Sequence, residues 1–162
     1  MNPIEALGLK ELILRLTIAV IIGSILGLNR ELHGKAAGLR THALVALGAA
    51  IVALLALQVE NNLIGADPNA LSRIIQGTLT GIGFLGAGVI LRGAEEHVTG
   101  LTTAATIWIC AVIGLLCGLG YWELLSIATS LVLMVLVFGP VIERVGLRIF
   151  KKESRPLTKD DV

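Results

Sequence analysis

The sequence predicts an all-α fold, a polytopic transmembrane helical bundle of about five spans, and three observations carry that prediction. The 162 residues are 55% hydrophobic and 15% charged with a mean hydropathy of +0.86, whereas soluble domains are about a quarter charged. The apolar residues gather in five stretches of membrane-crossing length. The cationic residues are divided unequally among the segments that join them. The transmembrane part is expected to cover residues 1–142, with a basic cytoplasmic tail at 143–162.

The first stretch runs from Leu12 to Leu28, with Arg15 one turn inside and able to snorkel outward. Ala43 to Val59 and Ile74 to Leu91 follow, then Leu101 to Leu119 and Leu124 to Ile142. At 17 to 19 residues each, they give helices about 25 to 29 Å long, enough to cross a thin bilayer with help from polar flanks.

Charge sets the expected orientation. With the N-terminus outside, ten of the thirteen lysines and arginines fall on inner segments, and only Lys10, Arg15 and Arg73 lie outside. That bias predicts N-out, C-in. No cleavable signal peptide is expected, since no small-residue cleavage pattern follows the first span.

Several chemistries lack their residues. No phosphate loop, zinc-protease motif or nucleophile elbow occurs, so no enzyme activity is expected. His33, His42 and His97 read as hydrated interfacial side chains, and Cys110 and Cys117, about 10.5 Å apart along one helix, as small buried apolar residues. Neither a metal site nor a cofactor is expected. The acidic residues all lie outside the middles of the spans, and the intramembrane polar groups, such as Gln76, Thr80, Thr102 and Thr106, are neutral. The basic tail reads as an anchor to anionic membrane lipid and not as a nucleic-acid site.

The third stretch holds Gly81-Ile82-Gly83-Phe84-Leu85-Gly86-Ala87-Gly88, with Gly77 one turn earlier. Each glycine costs a helix in water about 1 kcal/mol against alanine, so their concentration asks for a reason. Close packing on a neighbour, with Thr102 and Thr106 as partners, is the leading reading. A helix broken near Gly83 to Gly88 that lines an ion path is the other.

A displacement of 62 positions superposes Arg30 on Arg92, Gly38-Leu39 on Gly100-Leu101 and Thr41 on Thr103. It implies two parallel hairpins, each with a Gly-Leu-x-Thr helix start at the inner face, plus a fifth helix. Helix N-termini with Arg30, Arg40 and Arg92 nearby would form a corner for an anion or lipid head group. Against that stands the role of such arginines as topology anchors.

Ala37-Gly38-Leu39-Arg40-Thr41, the glycine stretch and Gly100-Leu101-Thr102-Thr103 through Trp108 together resemble the MgtC/SapB family of bacterial inner-membrane proteins. The resemblance extends from about Ile18 to about Gly120. It implies a multi-pass inner-membrane protein in its short form, without a C-terminal cytoplasmic domain. It also implies a role in adaptation to scarce magnesium or envelope stress. In the virulence-associated branch that role is exerted by restraining the F-type ATP synthase. The resemblance carries over Arg30, Arg40, Thr41, Gly81, Gly83, Phe84, Gly86, Gly88, Thr103 and Trp108, alongside Gly38 of the Gly-Leu-x-Thr motif. Two positions depart from the pattern: Asn29 stands where the family often has glutamate, and Thr102 where the virulence branch has asparagine. The reading is of a self-associating protein, a dimer favoured, that binds other membrane components. Its alternative is a transporter or channel for Mg2+ or another cation.

Overall fold

The computed structural model describes residues 3–62, 69–92 and 98–153, with side chains described throughout except at 3–6, 58–62, 70, 91–92 and 145–153. Five helices follow in order: α1 (Pro3–Leu32), α2 (Leu39–Asn62), α3 (Ala70–Val89), α4 (Leu101–Leu119) and α5 (Trp122–Glu153). Between α3 and α4 lies a short antiparallel ribbon, β1 (Leu91–Arg92) with β2 (Val98–Thr99), in which Leu91 faces Thr99.

Five helices stand where five spans are expected. Four of them, in α1, α2, α4 and α5, are long and apolar enough to cross a membrane. The fourth expected span coincides with α4, while α1 and α5 run beyond the expected limits. Gly8 interrupts the first turns of α1 with non-helical backbone. α5 continues through residue 142 to Glu153, with Pro140 inside it, so the expected tail boundary falls within a helix. Residues 154–162, with Arg155 and Lys159, lie outside the described residues.

The chain divides into two units, Met1–Thr129 and Ser130–Val162, the boundary falling within α5. In the first unit α2 is central. Glycine spacing explains how closely its neighbours approach. A Cβ added at Gly23 would lie 2.8 Å from Ala46 Cβ, and one at Gly27 2.6 Å from Leu39 Cα. From α4, added Cβ atoms at Gly114 and Gly118 would lie 2.3 and 2.4 Å from the carbonyl oxygens of Ala46 and Ala50. Two Gly-x-x-x-Gly pairs, one on α1 and one on α4, thus press on an alanine-rich helix and both meet it at Ala46, the geometry by which small residues bring helix backbones together. Ala46, Ala49, Ala50 and Ala53 are buried with Ile107, Ala111 and Ile113.

These contacts fix direction. Cys110 meets His42, Gly114 meets Ala46 and Gly118 meets Ala50, so α2 and α4 run parallel. Arg15 reaches Gly118 while Gly27 meets Gly38, so α1 runs opposite to both. Both Gly-Leu-x-Thr motifs therefore start helices at the same end of the bundle, as the parallel arrangement requires.

α3 packs differently. Ile75, Leu79 and Ile82 lie against Ala49, Ala53, Ala111 and Leu115. Among its glycines only Gly86 approaches a neighbour, its added Cβ being 3.5 Å from Ala104 Cβ. Gly77, Gly81, Gly83 and Gly88 meet nothing within 4 Å. The expected packing through the glycine face is thus carried by the opposite, branched-residue face. The helix is also continuous through Gly83 and Gly88, so it is not broken there.

Candidate functional site

The end of the bundle that carries the α1–α2 turn collects the sequence motifs. α1 finishes with Asn29, Arg30, Glu31 and Leu32, and a short turn that includes Gly34 and Ala37, both at positive φ, leads to α2. Glu31, the acid one place beyond the family position, acts locally, because its Oε2 accepts from the Leu39 N–H at 3.0 Å. It satisfies one of the free donors at the start of α2 and places a negative charge at the positive end of the helix. An added Cβ at Gly38 would lie 2.6 Å from that oxygen, so a side chain there would displace the Glu31 carboxylate. Asn29 is half-buried, and its carbonyl accepts from His33 Nδ1–H at 2.7 Å.

Arg30 is turned inward. It is 6% exposed, and its terminal nitrogen donates to Thr103 Oγ1 in the first turn of α4. Thr103 is buried as well, and Thr106 Oγ1 donates to its carbonyl at 2.8 Å. Arg30 Nε has no partner among the described residues. Of the other two members of the expected arginine corner, Arg40 is exposed on α2, and the Arg92 side chain lies outside the described residues. Thr41 and Thr102 are exposed too.

His42 lies on the same junction and corrects the reading of all three histidines as hydrated side chains. It is fully buried. Its Nδ1–H donates to the Gly38 carbonyl at 3.0 Å, its own carbonyl accepts from Cys110 Sγ at 3.3 Å, and its Nε2 has no partner among the described residues. The ring is sealed because Gly23 and Gly27 let α1 lie directly on this turn of α2. His33 is exposed as expected, while His97 lies outside the described residues. Cys110 and Cys117 are buried free thiols, in keeping with their reading as apolar side chains.

At the opposite end, Arg15 does not snorkel. Its Nη1 donates to the Gly118 carbonyl at 2.8 Å and its Nε to Glu11 Oε1 at 2.8 Å. α4 ends there on Gly120 at φ 78°, whose N–H bonds the Leu116 and Cys117 carbonyls. An added Cβ at Gly120 would lie 2.5 Å from the Arg15 guanidinium. The arginine thus completes the capping of a helix C-terminus whose backbone oxygens carry partial negative charge.

The outward side of α3 is the second candidate region. Phe84 is 81% exposed beside the open glycines. Ser72, Gln76, Thr80 and Trp108, with Ile75 and Leu79, line an open groove of about 620 Å³. Among the described residues no cluster of three His, Cys, Asp or Glu side chains is placed to hold a metal ion.

The chain matches the MgtC family over residues 16–145. It belongs to that family. It is 46% identical over 129 residues to protein SrpB of Synechococcus elongatus, covering 75% of this chain and 71% of SrpB. It is 40% identical over 133 residues to the putative magnesium transporter YhiD of Escherichia coli K12, covering 78% of this chain and 59% of YhiD. To protein MgtC of Salmonella typhimurium LT2 it is 44% identical over 121 residues, or 75% of this chain and 49% of that protein. The chain therefore spans only about half to three fifths of YhiD and MgtC. No solved structure matches. The matched residues 16–145 take in most of α1, all of α2, α3 and α4 and much of α5, so the match rests on the helices and the turns between them.

Arg30 and Thr103 each stand out in the sequence, but only the fold joins them. Gly23, Gly27, Gly114 and Gly118 escaped sequence reasoning, although their four-residue spacing is visible there. Glu31 reads in the sequence only as a displaced acid.

Proposed function

We propose that this MgtC family protein is a multi-pass protein of the bacterial inner membrane, N-out and C-in, that supports growth under magnesium limitation or envelope ion stress. It acts by binding and modulating other membrane components, as the resemblance implies for the F-type ATP synthase, and it performs no catalysis of its own. Self-association as a dimer belongs to the same reading. The observation that carries it is the division of labour among the glycines. Those of α1 and α4 close the α1–α2–α4 core backbone to backbone, and those of α3 other than Gly86 meet no neighbour and lie open near an exposed Phe84. A core closed by glycine and alanine supports a scaffold better than a conduit, and an outward small-residue face supports close approach by another helix.

Gly81→Leu tests it, with an unchanged melting temperature required alongside, since an added Cβ there meets nothing within 4 Å. In cells lacking their own copy, the variant at equal abundance is expected to lose rescue of growth at limiting magnesium while the unaltered protein retains it. Full rescue by Gly81→Leu would remove α3 from the mechanism.

Cation transport is the second reading. It is favoured by the name of the relative YhiD and by the groove whose polar lining is Ser72, Gln76 and Thr80. Saturable Mg2+ flux in proteoliposomes that Trp108→Ala or Gln76→Leu abolishes would replace the first reading with this one.

A further inference from the structure

Arg30 presents a problem of charge. The guanidinium is ionised at any physiological pH, it is more than nine-tenths buried, and among the described residues it has no carboxylate partner. Its one hydrogen bond there is to a neutral hydroxyl, Thr103 Oγ1, and its Nε–H is sealed from solvent without an acceptor. A buried charge without a counter-charge is among the costliest arrangements a fold can keep.

The hydroxyl it touches belongs to the first turn of α4. That helix starts on Gly100 at φ 89°, and no side chain caps it. The Ala104 N–H bonds the Gly100 carbonyl. The N–H groups of Leu101, Thr102 and Thr103 precede the first residue that can bond back within the helix, so they are the donors that helix geometry leaves over, at the positive end of a 19-residue helix. Leu101 and Thr102 are exposed, so this turn opens outward. Two sources of positive potential meet here, one of them a buried guanidinium whose Nε–H has no acceptor among the described residues.

His42 completes the description from the other side. Because Nδ1 carries its proton to the Gly38 carbonyl, Nε2 of the neutral ring presents a lone pair, and that lone pair has no donor among the described residues. The junction therefore lacks one acceptor for Arg30 and one donor for His42. The ionisable groups around the ring are Arg30 of α1, close enough for its charge to act on it, and Cys110 of α4. Glu31 of α1 reaches the backbone of the same turn but is committed to Leu39.

We infer that the junction of α1, α2 and the α4 N-terminus binds a phosphate-type oxyanion that carries one proton, with Arg30 and the first turn of α4 as donors and His42 Nε2 as acceptor. Such a ligand supplies both missing partners, as hydrogen phosphate or as a phosphate monoester head group. Sulfate and lipid phosphodiesters have oxyanions but no acidic proton at neutral pH, so they satisfy Arg30 and leave His42 unmet. The inference does not depend on the role in magnesium limitation.

Equilibrium dialysis of labelled inorganic phosphate against the full chain in phosphate-free detergent tests it. Parallel measurements use nanodiscs containing phosphatidic acid or phosphatidylglycerol. Saturable binding of inorganic phosphate, poorly displaced by sulfate, identifies a soluble ligand. Binding of phosphatidic acid over phosphatidylglycerol, without uptake of free phosphate, identifies a lipid ligand. Both outcomes support the site. Arg30→Gln is expected to weaken binding more than about tenfold. Should that variant fail to fold, Arg30→Lys keeps a cation but removes the Nε donor, and is expected to weaken binding as well. Arg40→Gln, on an exposed side chain, is expected to change it by less than about twofold. No saturable binding of either phosphate form, equal binding of sulfate, or loss on Arg40→Gln without loss on Arg30→Gln or Arg30→Lys would overturn the inference.

Discussion

The glycines of α1 and α4 and those of α3 share one spacing and have opposite surroundings. Gly23 and Gly27, like Gly114 and Gly118, are four apart and pressed on α2. Gly77 and Gly81 are also four apart, yet neither meets a neighbour within 4 Å. The partner helix makes the difference. α2 offers Ala43, Ala46, Ala50 and Ala53 along the faces that meet α1 and α4, so glycine opposite alanine brings backbones together. α3 instead inserts Ile75, Leu79 and Ile82, and these branched side chains hold its glycines on the far side. Small-residue spacing marks a capacity for close approach. Whether the capacity is used within the chain depends on what the next helix presents.

The largest effect is expected where glycine meets backbone. Gly114→Ala places a Cβ 2.3 Å from the Ala46 carbonyl oxygen, and a main-chain atom cannot rotate away as a side chain can. Helix α4 must shift, and overpacking of this kind costs about 3 kcal/mol. Thermal unfolding in detergent should show a clear loss of stability. Gly23→Ala, with its closest contact at 2.7 Å, should show a smaller loss. Unchanged melting in Gly114→Ala would mean that α2 and α4 are not in backbone contact, and the contrast with α3 would collapse.

A smaller effect is expected at the opposite end. Arg15→Met keeps much of the apolar stem but removes the donor to the Gly118 carbonyl and the pairing with Glu11. The loss of a hydrogen bond from a charged donor to a helix C-terminus costs about 2 kcal/mol. Hydrogen exchange sharpens the assignment: the amides of Gly120 and Tyr121, which close the last turn of α4, should exchange faster, while those near Ala111 keep their protection. Uniform acceleration along α4 would point to general loosening instead of a lost cap.

Much of the architecture was legible because hydropathy reports length and composition directly. The α4 limits follow from two glycines, Gly100 and Gly120, both at positive φ where a side chain is disfavoured. The common end of the two Gly-Leu-x-Thr starts also followed from the motif, since each places glycine directly before a continuous apolar run. What stayed hidden was pairing. Nothing local indicates that Arg30 bonds a threonine 73 positions away, or that His42 is enclosed while His33, in the turn before it, is exposed. The enclosure of His42 depends on Gly23 and Gly27 admitting α1 to that face. Arg15 misled for the same reason: an arginine near the end of a span ordinarily reaches for water, and only the approach of the α4 terminus gives it a carbonyl inside.

The smallest stability effect is expected on α3, and it separates the two regions most cleanly. Gly81→Ala adds a Cβ into open space and removes a glycine from a helix interior, so stability should stay level or rise by at most about 1 kcal/mol. The same substitution that damages the α2–α4 seam is here tolerated by the fold. Tolerance of alanine there leaves this face of α3 free for a contact outside the chain. If Gly81→Ala melts normally, graded substitution at this position through Ala, Val and Leu should leave the fold intact and reduce low-magnesium rescue in order of size. A drop in stability with Gly81→Ala would instead place an unseen contact on this face within the protein itself. In that case α3 would belong with α1 and α4 as a packing helix, and the proposed role of its outward face would lose its basis.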